Sequence, residues 1–247
     1  MNLTIKIAFS TLAIMLSSVT SASSQTNDSL PSADDVVAKM LRADVERRSE
    51  LTGYTAMRRY VAVNNDHRAE MVARLDCSPD GTKQFTIISE EGSSAIRKHV
   101  FYKMLNEESV ASHREIREGS RITPANYKFN IVGQDTLDTG PAYVLAIIPK
   151  TEDRHLIDGR IWVNAKDYSI VRIEGQPARS PSFWVHNVHF VHTYQRVGQF
   201  WFASSTHSTS EVRIFGSSEL TIENTDYALN LPKKHTAEAD SMASLVR

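Results

Sequence analysis

Cysteine is almost missing from this 247-residue chain: Cys77 stands alone. No internal disulfide can form, so packing must hold the fold. A lone thiol in such a strand reads as a small buried hydrophobe, and its distance from the N-terminus excludes lipid attachment at a processed N-terminal cysteine. Surplus charge is missing too, with 28 Lys and Arg against 29 Asp and Glu. Without a basic excess, counterion release cannot drive nucleic-acid binding, and no block of like charge marks an interaction tail. Also absent are G-x-S-x-G, H-E-x-x-H, a P-loop and C-x-x-C. The residues offer no assembled catalytic site, and the expectation is a non-enzyme without cofactor. Long apolar runs are lacking except near the start, where Lys6 precedes Ile7 to Val19 and then Ala22-Ser23-Ser24. That order suits a signal peptide with small residues at its cleavage site. The run is short of the ~20 residues that span a bilayer. A cleavable signal over 1–24, a mature N-terminus between Ser23 and Gln25, and a periplasmic location are expected.

What remains is roughly 220 residues, enough for one large domain with a real core. Residues 25–31 are a polar tether, 32–231 a single domain and 232–247 a polar tail. Ser32 with Asp35 three residues on has the capping-box pattern of a helix start. Val36, Val37, Met40 and Leu41 share a face, with Arg42, Glu46 and Arg47 mostly opposite, and Gly53 stops the helix. The period then changes to two. In "RAEMVARLDC", Ala69, Met71, Ala73, Leu75 and Cys77 alternate with Arg68, Glu70, Arg74 and Asp76, as in a half-buried antiparallel strand. "YTAMRRYVAV" and "KQFTIIS" read as its neighbours, with a turn at Ser78 to Gly81. Ile96, Val100, Phe101, Met104 and Leu105 predict a second helix, weaker toward Gly119. From Tyr127 almost everything is strand: Tyr127, Phe129 and Ile131 alternate with Lys128 and Asn130, and "EVRIFG" and "ELTIENTDYAL" close the series. About eleven strands and two helical regions predict an α+β fold. It is one large curved antiparallel sheet, an unclosed β-barrel, with helical lids over the concave face.

His186, His189 and His192 in "HNVHFVH" are spaced for a metal on a helix. On a strand, His186 and His192 share a face with His189 on the other. Six residues at roughly 3.3 Å put the outer pair about 20 Å apart, too far for one ion. No metal site is expected. Of Arg58 and Arg59, adjacent on a strand, only one can face the apolar side, and the pattern does not say which. That inward arginine either bonds a lid or forms an ordinary salt bridge. Trp162, Trp184 and Trp201, with Phe183, Phe190, Phe200 and Phe202, crowd the C-terminal strands. A single sheet has no second sheet to pack on, so this bulk suits a hydrophobic ligand cavity.

The hairpin "GRIWVNAKDYSIVRIEG" carries a resemblance. Ile161-Trp162-Val163, the polar turn Asn164 to Asp167 and the Arg172-Ile173 pair are similar to a recurring strand–turn–strand of the LolA-like periplasmic lipoprotein-carrier family. "GQPARSPSFW" (Gly175 to Trp184) also looks like members described as outer-membrane lipoprotein-sorting proteins. The resemblance runs from about Ser32 to Leu231. It implies an unclosed antiparallel barrel with helical lids, holding acyl chains in an apolar cavity. It also implies an early-strand arginine, Arg58 or Arg59, bonded to the lid in the closed state. The "PARSPSFW" stretch and weak second helix depart from the carriers proper. The candidate cavity and lid residues are Arg58, Arg59, Met71, Leu75, Val100, Met104, Phe129, Ile131, Trp162, Trp184, Phe190 and Trp201. The expected partners are acyl chains of lipids or lipoproteins, with a membrane exporter or outer-membrane acceptor; the chain is expected to be a monomer. The alternative reading is a sensing module that binds a membrane signalling regulator.

Overall fold

The computed structural model of the protein describes residues 30–231 apart from 66, 181–184 and 214–215. The signal-peptide and tail expectations, like Phe183 and Trp184, lie outside the described residues. Ser32 caps helix α1 (Ala33–Glu50), its Oγ accepting from the Asp35 backbone N–H at 3.1 Å. Asp34 and Asp35 in the first turn and Arg47 and Arg48 in the last complement the helix dipole. The chain leaves α1 through Gly53, whose φ of 118° a side-chain-bearing residue rarely adopts.

Ten strands follow: β1 (Tyr54–Asn64), β2 (His67–Cys77), β3 (Lys83–Gly92), β4 (Tyr127–Leu137), β5 (Gly140–Pro149), β6 (Ile157–Asn164), β7 (Ile170–Pro177), β8 (Val185–Val197), β9 (Phe200–Val212) and β10 (Gly216–Leu229). They form one curved, unclosed antiparallel sheet in the order β3-β2-β1-β10-β9-β8-β7-β6-β5-β4. The architecture is the expected one. The strand count is corrected from eleven to ten among the described residues, because "EVRIFG" gives no separate strand: Glu211 and Val212 end β9 and Gly216 begins β10.

Between β3 and β4 come α2 (Ser94–Ile96), a π turn (Arg97–Phe101), α3 (Tyr102–Ala111) and α4 (Arg114–Ser120). Those two strands are the opposite edges of the sheet. A chain joining them has to run across a face, which is why these helices lie over the sheet. No described helix is long and apolar enough to cross a membrane.

The register shows which face is covered. Directly paired residues of neighbouring strands point the same way. One row runs Met71, Tyr60, Ile222, Thr206, His192, Ile173, Ile161, Leu145, Ile131 from β2 to β4. On this inner face, Val36, Val37 and Met40 of α1 are buried on Tyr127, Leu145, Ile147 and Ile161. Phe101 and Leu105 are buried on Tyr60, Met71 and Ala73. Each such side chain contributes about 1.5–3 kcal/mol. The neighbouring row, Val72, Arg59, Glu223, Ser205, Thr193, Arg172, Trp162, Val144, faces outward.

The histidine pattern is also corrected. The ladder slips between His186 and His189, where Asn187 has a φ of 49°. A bulge of this kind reverses the alternation. His186 therefore pairs with Glu211 and His189 with Thr209, two positions apart on one face, and His192 takes the other. Among the described residues no three side chains cluster to hold a metal.

Candidate functional site

The two halves of α1 do different things. Its first turns are seated on the β4–β6 core, while its second half roofs a cavity of about 480 Å³. Met40, Leu41 and Leu51 line the roof. The floor is Ile170 and Ile173 of β7, Tyr194 of β8, Phe200, Trp201 and Phe202 of β9, and Tyr54 at the start of β1. Ile122 and Tyr168 close the sides, and Asp44, Arg47, Arg48, Ser120, Arg121 and Ser169 complete the lining. Two-thirds of these side chains are apolar or aromatic, the usual make-up of a small-molecule pocket. Burial pushes the Tyr194 hydroxyl up to about 12, so it stays protonated in the floor.

Polar contacts at the lip hold the roof down. Arg121 Nη2 lies 2.9 Å from Asp44 Oδ2, Arg47 Nη1 donates to the Asp167 carbonyl at 3.0 Å, and Gln199 donates to Glu50. Lys39 lies 5.3 Å over the Tyr168 ring. Such partly exposed contacts are individually weak.

A second polar cluster lies under α3. Arg58 is the inward member of its pair, with a side chain only 7% exposed. Its Nε donates to Asn224 Oδ1 at 2.6 Å and its Nη1 to Glu108 Oε2 at 2.6 Å. Glu108 Oε1 meets Lys83 Nζ at 2.7 Å. Although burial works against the charge on Arg58, Glu108 and Tyr60 hold it on. The Lys83 backbone adds to the clamp, its N–H donating to Ser112 Oγ and its carbonyl accepting from Ser109 Oγ. Arg59 faces outward and pairs with Glu70 and Glu223.

The candidate residues thus divide. Among the described candidates only Trp201 touches the cavity; its side chain packs against the cluster of Ala142, Val144, Trp162 and Val171, and its Nε1 donates to Asp167 Oδ2 at 2.8 Å. Phe129, Ile131 and Phe190 belong to the core beside it. Met71 and Leu75 are fully buried, and Val100 and Met104 pack against the filled α3 side. Trp162 is corrected: it sits on the outer face, bonded to Asp135 and stacked by Arg172, because the pleat turns it away from Ile161 and Val163. Arg59 is likewise no cavity residue. Arg58 does bond a helix: the helix is α3 and the bond is to the Glu108 carboxylate. Sequence reasoning missed Asp44, Arg121 and Tyr168. Their signal is faint, since Asp44 and Arg121 are 77 positions apart.

No family model and no curated protein matches the chain. Among solved structures it is similar to a DUF1329 family protein from Desulfovibrio piger, at 11% identity over 80% of this chain and 93% of that one, with a TM-score of 0.44. An outer membrane lipoprotein-sorting protein domain from Vibrio parahaemolyticus matches at 13% identity over 85% and 98%, with a TM-score of 0.38. A LolA superfamily protein from Nitrosomonas europaea matches at 12% identity over 83% and 96%, with a TM-score of 0.37. At these scores the site's own geometry, not the likeness, has to carry the function.

Proposed function

We propose that the protein is a periplasmic carrier that holds an acyl chain, of a lipid or a lipidated protein, in the cavity under α1. The observation behind it is the apolar cavity of about 480 Å³ roofed by a half-anchored helix. The volume is ordinary for a ligand pocket, about 300–1,000 Å³. Burying a dozen methylenes at about 0.8 kcal/mol each is worth on the order of 10 kcal/mol, less the cost of ordering ligand and roof. A carrier must also let go, and weak polar lip contacts suit release better than a continuous apolar seal. The apolar run after Lys6 supports export.

Trp201 supplies the test. In a chain carrying Trp162→Phe and Trp184→Phe, a bromine-labelled acyl chain should quench its fluorescence saturably at one chain per protein. The cavity-filling variant Ile173→Trp in the unlabelled chain should block uptake of the same chain measured by partition. No quenching and no uptake would end the carrier reading. A protein that takes no chain, but binds the periplasmic part of a membrane regulator equally well with and without Ile173→Trp, would be a sensing module instead.

A further inference from the structure

The size of the cavity and the charge on its lip narrow the ligand. At about 30 Å³ per water-sized group, a volume of about 480 Å³ holds roughly sixteen such groups. That is room for one acyl chain. The lip, meanwhile, carries charge of both signs, with Glu50, Glu118 and Asp167 standing around its arginines. Three guanidiniums, Arg47, Arg48 and Arg121, line the cavity against the single carboxylate of Asp44. Arg48 and Arg121 share that carboxylate, each at 2.9 Å, and Arg121 also reaches Glu118 at 2.9 Å.

Arg47 is different. It is partly buried, and its Nη1 bonds a backbone carbonyl rather than an anion. The neighbouring Asp167 carboxylate feels the Arg47 charge but makes its hydrogen bonds elsewhere, accepting from Trp201 Nε1 at 2.8 Å and from the Ser169 N–H at 3.0 Å. Among the described residues, Arg47 Nε and Nη2 have no acceptor. A guanidinium at the edge of an apolar chamber, where the dielectric is low, strengthens any anion placed on it. A sugar or alcohol hydroxyl could accept from those donors, but as a neutral acceptor it makes the weaker bond.

Resting on the carrier reading above, we propose that the ligand is a single-chain anionic amphiphile. Its chain lies under α1 and its carboxylate or phosphate sits on Arg47. Arg121 serves as a second donor once it exchanges Asp44 for the incoming anion. The same exchange loosens the roof, since the Asp44–Arg121 contact is one of those that hold it.

Calorimetric titration of the whole protein with dodecanoate, dodecanol, a dodecanoyl lysophosphatidate and a didodecanoyl phosphatidate tests this. The anionic single-chain ligands should bind about tenfold or more tighter than dodecanol, the factor expected for a hydrogen bond to a charged group. Arg47→Gln should bring anion and alcohol to near parity, while Arg59→Gln on the outer face should keep the preference. Whichever of the carboxylate and the phosphate gains more from Arg47 identifies the head. Equal binding of dodecanoate and dodecanol to the unaltered protein would overturn the anion assignment and leave the carrier reading standing. Binding of the two-chain lipid as tight as that of the one-chain lipid would overturn the capacity argument. If none of the four binds, the carrier reading itself falls.

Discussion

Glu108 bridges Arg58 and Lys83 with one carboxylate, and His192 stands on the same inner face bonded to Thr206 Oγ1 at 2.6 Å. Burial raises the Glu108 carboxyl, but Lys83 and Arg58 outweigh it and hold it at about 2 against an ordinary 4.5. Burial lowers His192 from 6.5 to about 4, with Glu108 opposing and Arg58 adding to the shift. Below 6.5 the unfolded histidine takes a proton that the native one refuses until about 4. Stability therefore falls as pH drops through that window. Glu108 contributes fully above 4.5 and loses its contribution between 4.5 and 2. Glu70, Asp80, Glu118 and Asp167 are depressed as well, so this lower limb is shared. Urea midpoints from about pH 7 to pH 2 should show both losses, and His192→Gln should erase only the upper one. An upper limb that persists in the variant would mean that His192 is not buried neutral. At this scale the sequence is half legible. One of Arg58 and Arg59 had to face inward, but choosing between them needs the register, and Glu108 lies 50 positions away.

At the scale of elements, the periods of two and 3.6 place nearly every strand and helix, because each has one buried face to signal. The exceptions are local. "EVRIFG" has strand-forming residues, yet its described ends belong to β9 and β10, and Asn187 hides a bulge that no hydrophobic pattern announces. The hairpin of β6 and β7 holds another such feature. Gly159 and Gly175 are paired, and Gly175 pairs in turn with Phe190, whose ring joins the inner core. A Cβ on Gly159 would come within 2.1 Å of the Glu174 carbonyl oxygen. Backbone cannot step aside as a side chain can. Gly159→Ala should therefore cost about 2 kcal/mol or more, in the range of strained overpacking, read as a lower denaturant midpoint. A variant as stable as the parent would mean that the two strands separate freely here.

At the scale of the molecule, the covered inner face follows from topology. β3 and β4 lie at opposite edges, and the helical connection between them has nowhere to go but across. The cavity was legible as a class of site, from aromatic bulk on a single sheet, yet its position was not. It lies under α1 because the α3 side is filled and clamped, a difference set by contacts between residues far apart in sequence. The pairing of β1 with β10 has a consequence in time. Arg58 and Asn224, bonded in the middle of the sheet, are 166 residues apart. Closing such a loop costs about 4 to 5 kcal/mol before any contact rewards it, and sheets built on distant pairings fold over milliseconds to seconds. Stopped-flow refolding should be at least that slow, and a chain ending before Gly216 should fail to give a cooperative unfolding transition. A chain crossing a membrane N-terminus first would deliver β1 long before β10. Until synthesis is nearly finished, β1 would wait beside an empty lane, and β9, once delivered, would stand on its other side. Each has an unpaired edge open to other chains, so an exported copy would need a holding chaperone for the length of its own translocation.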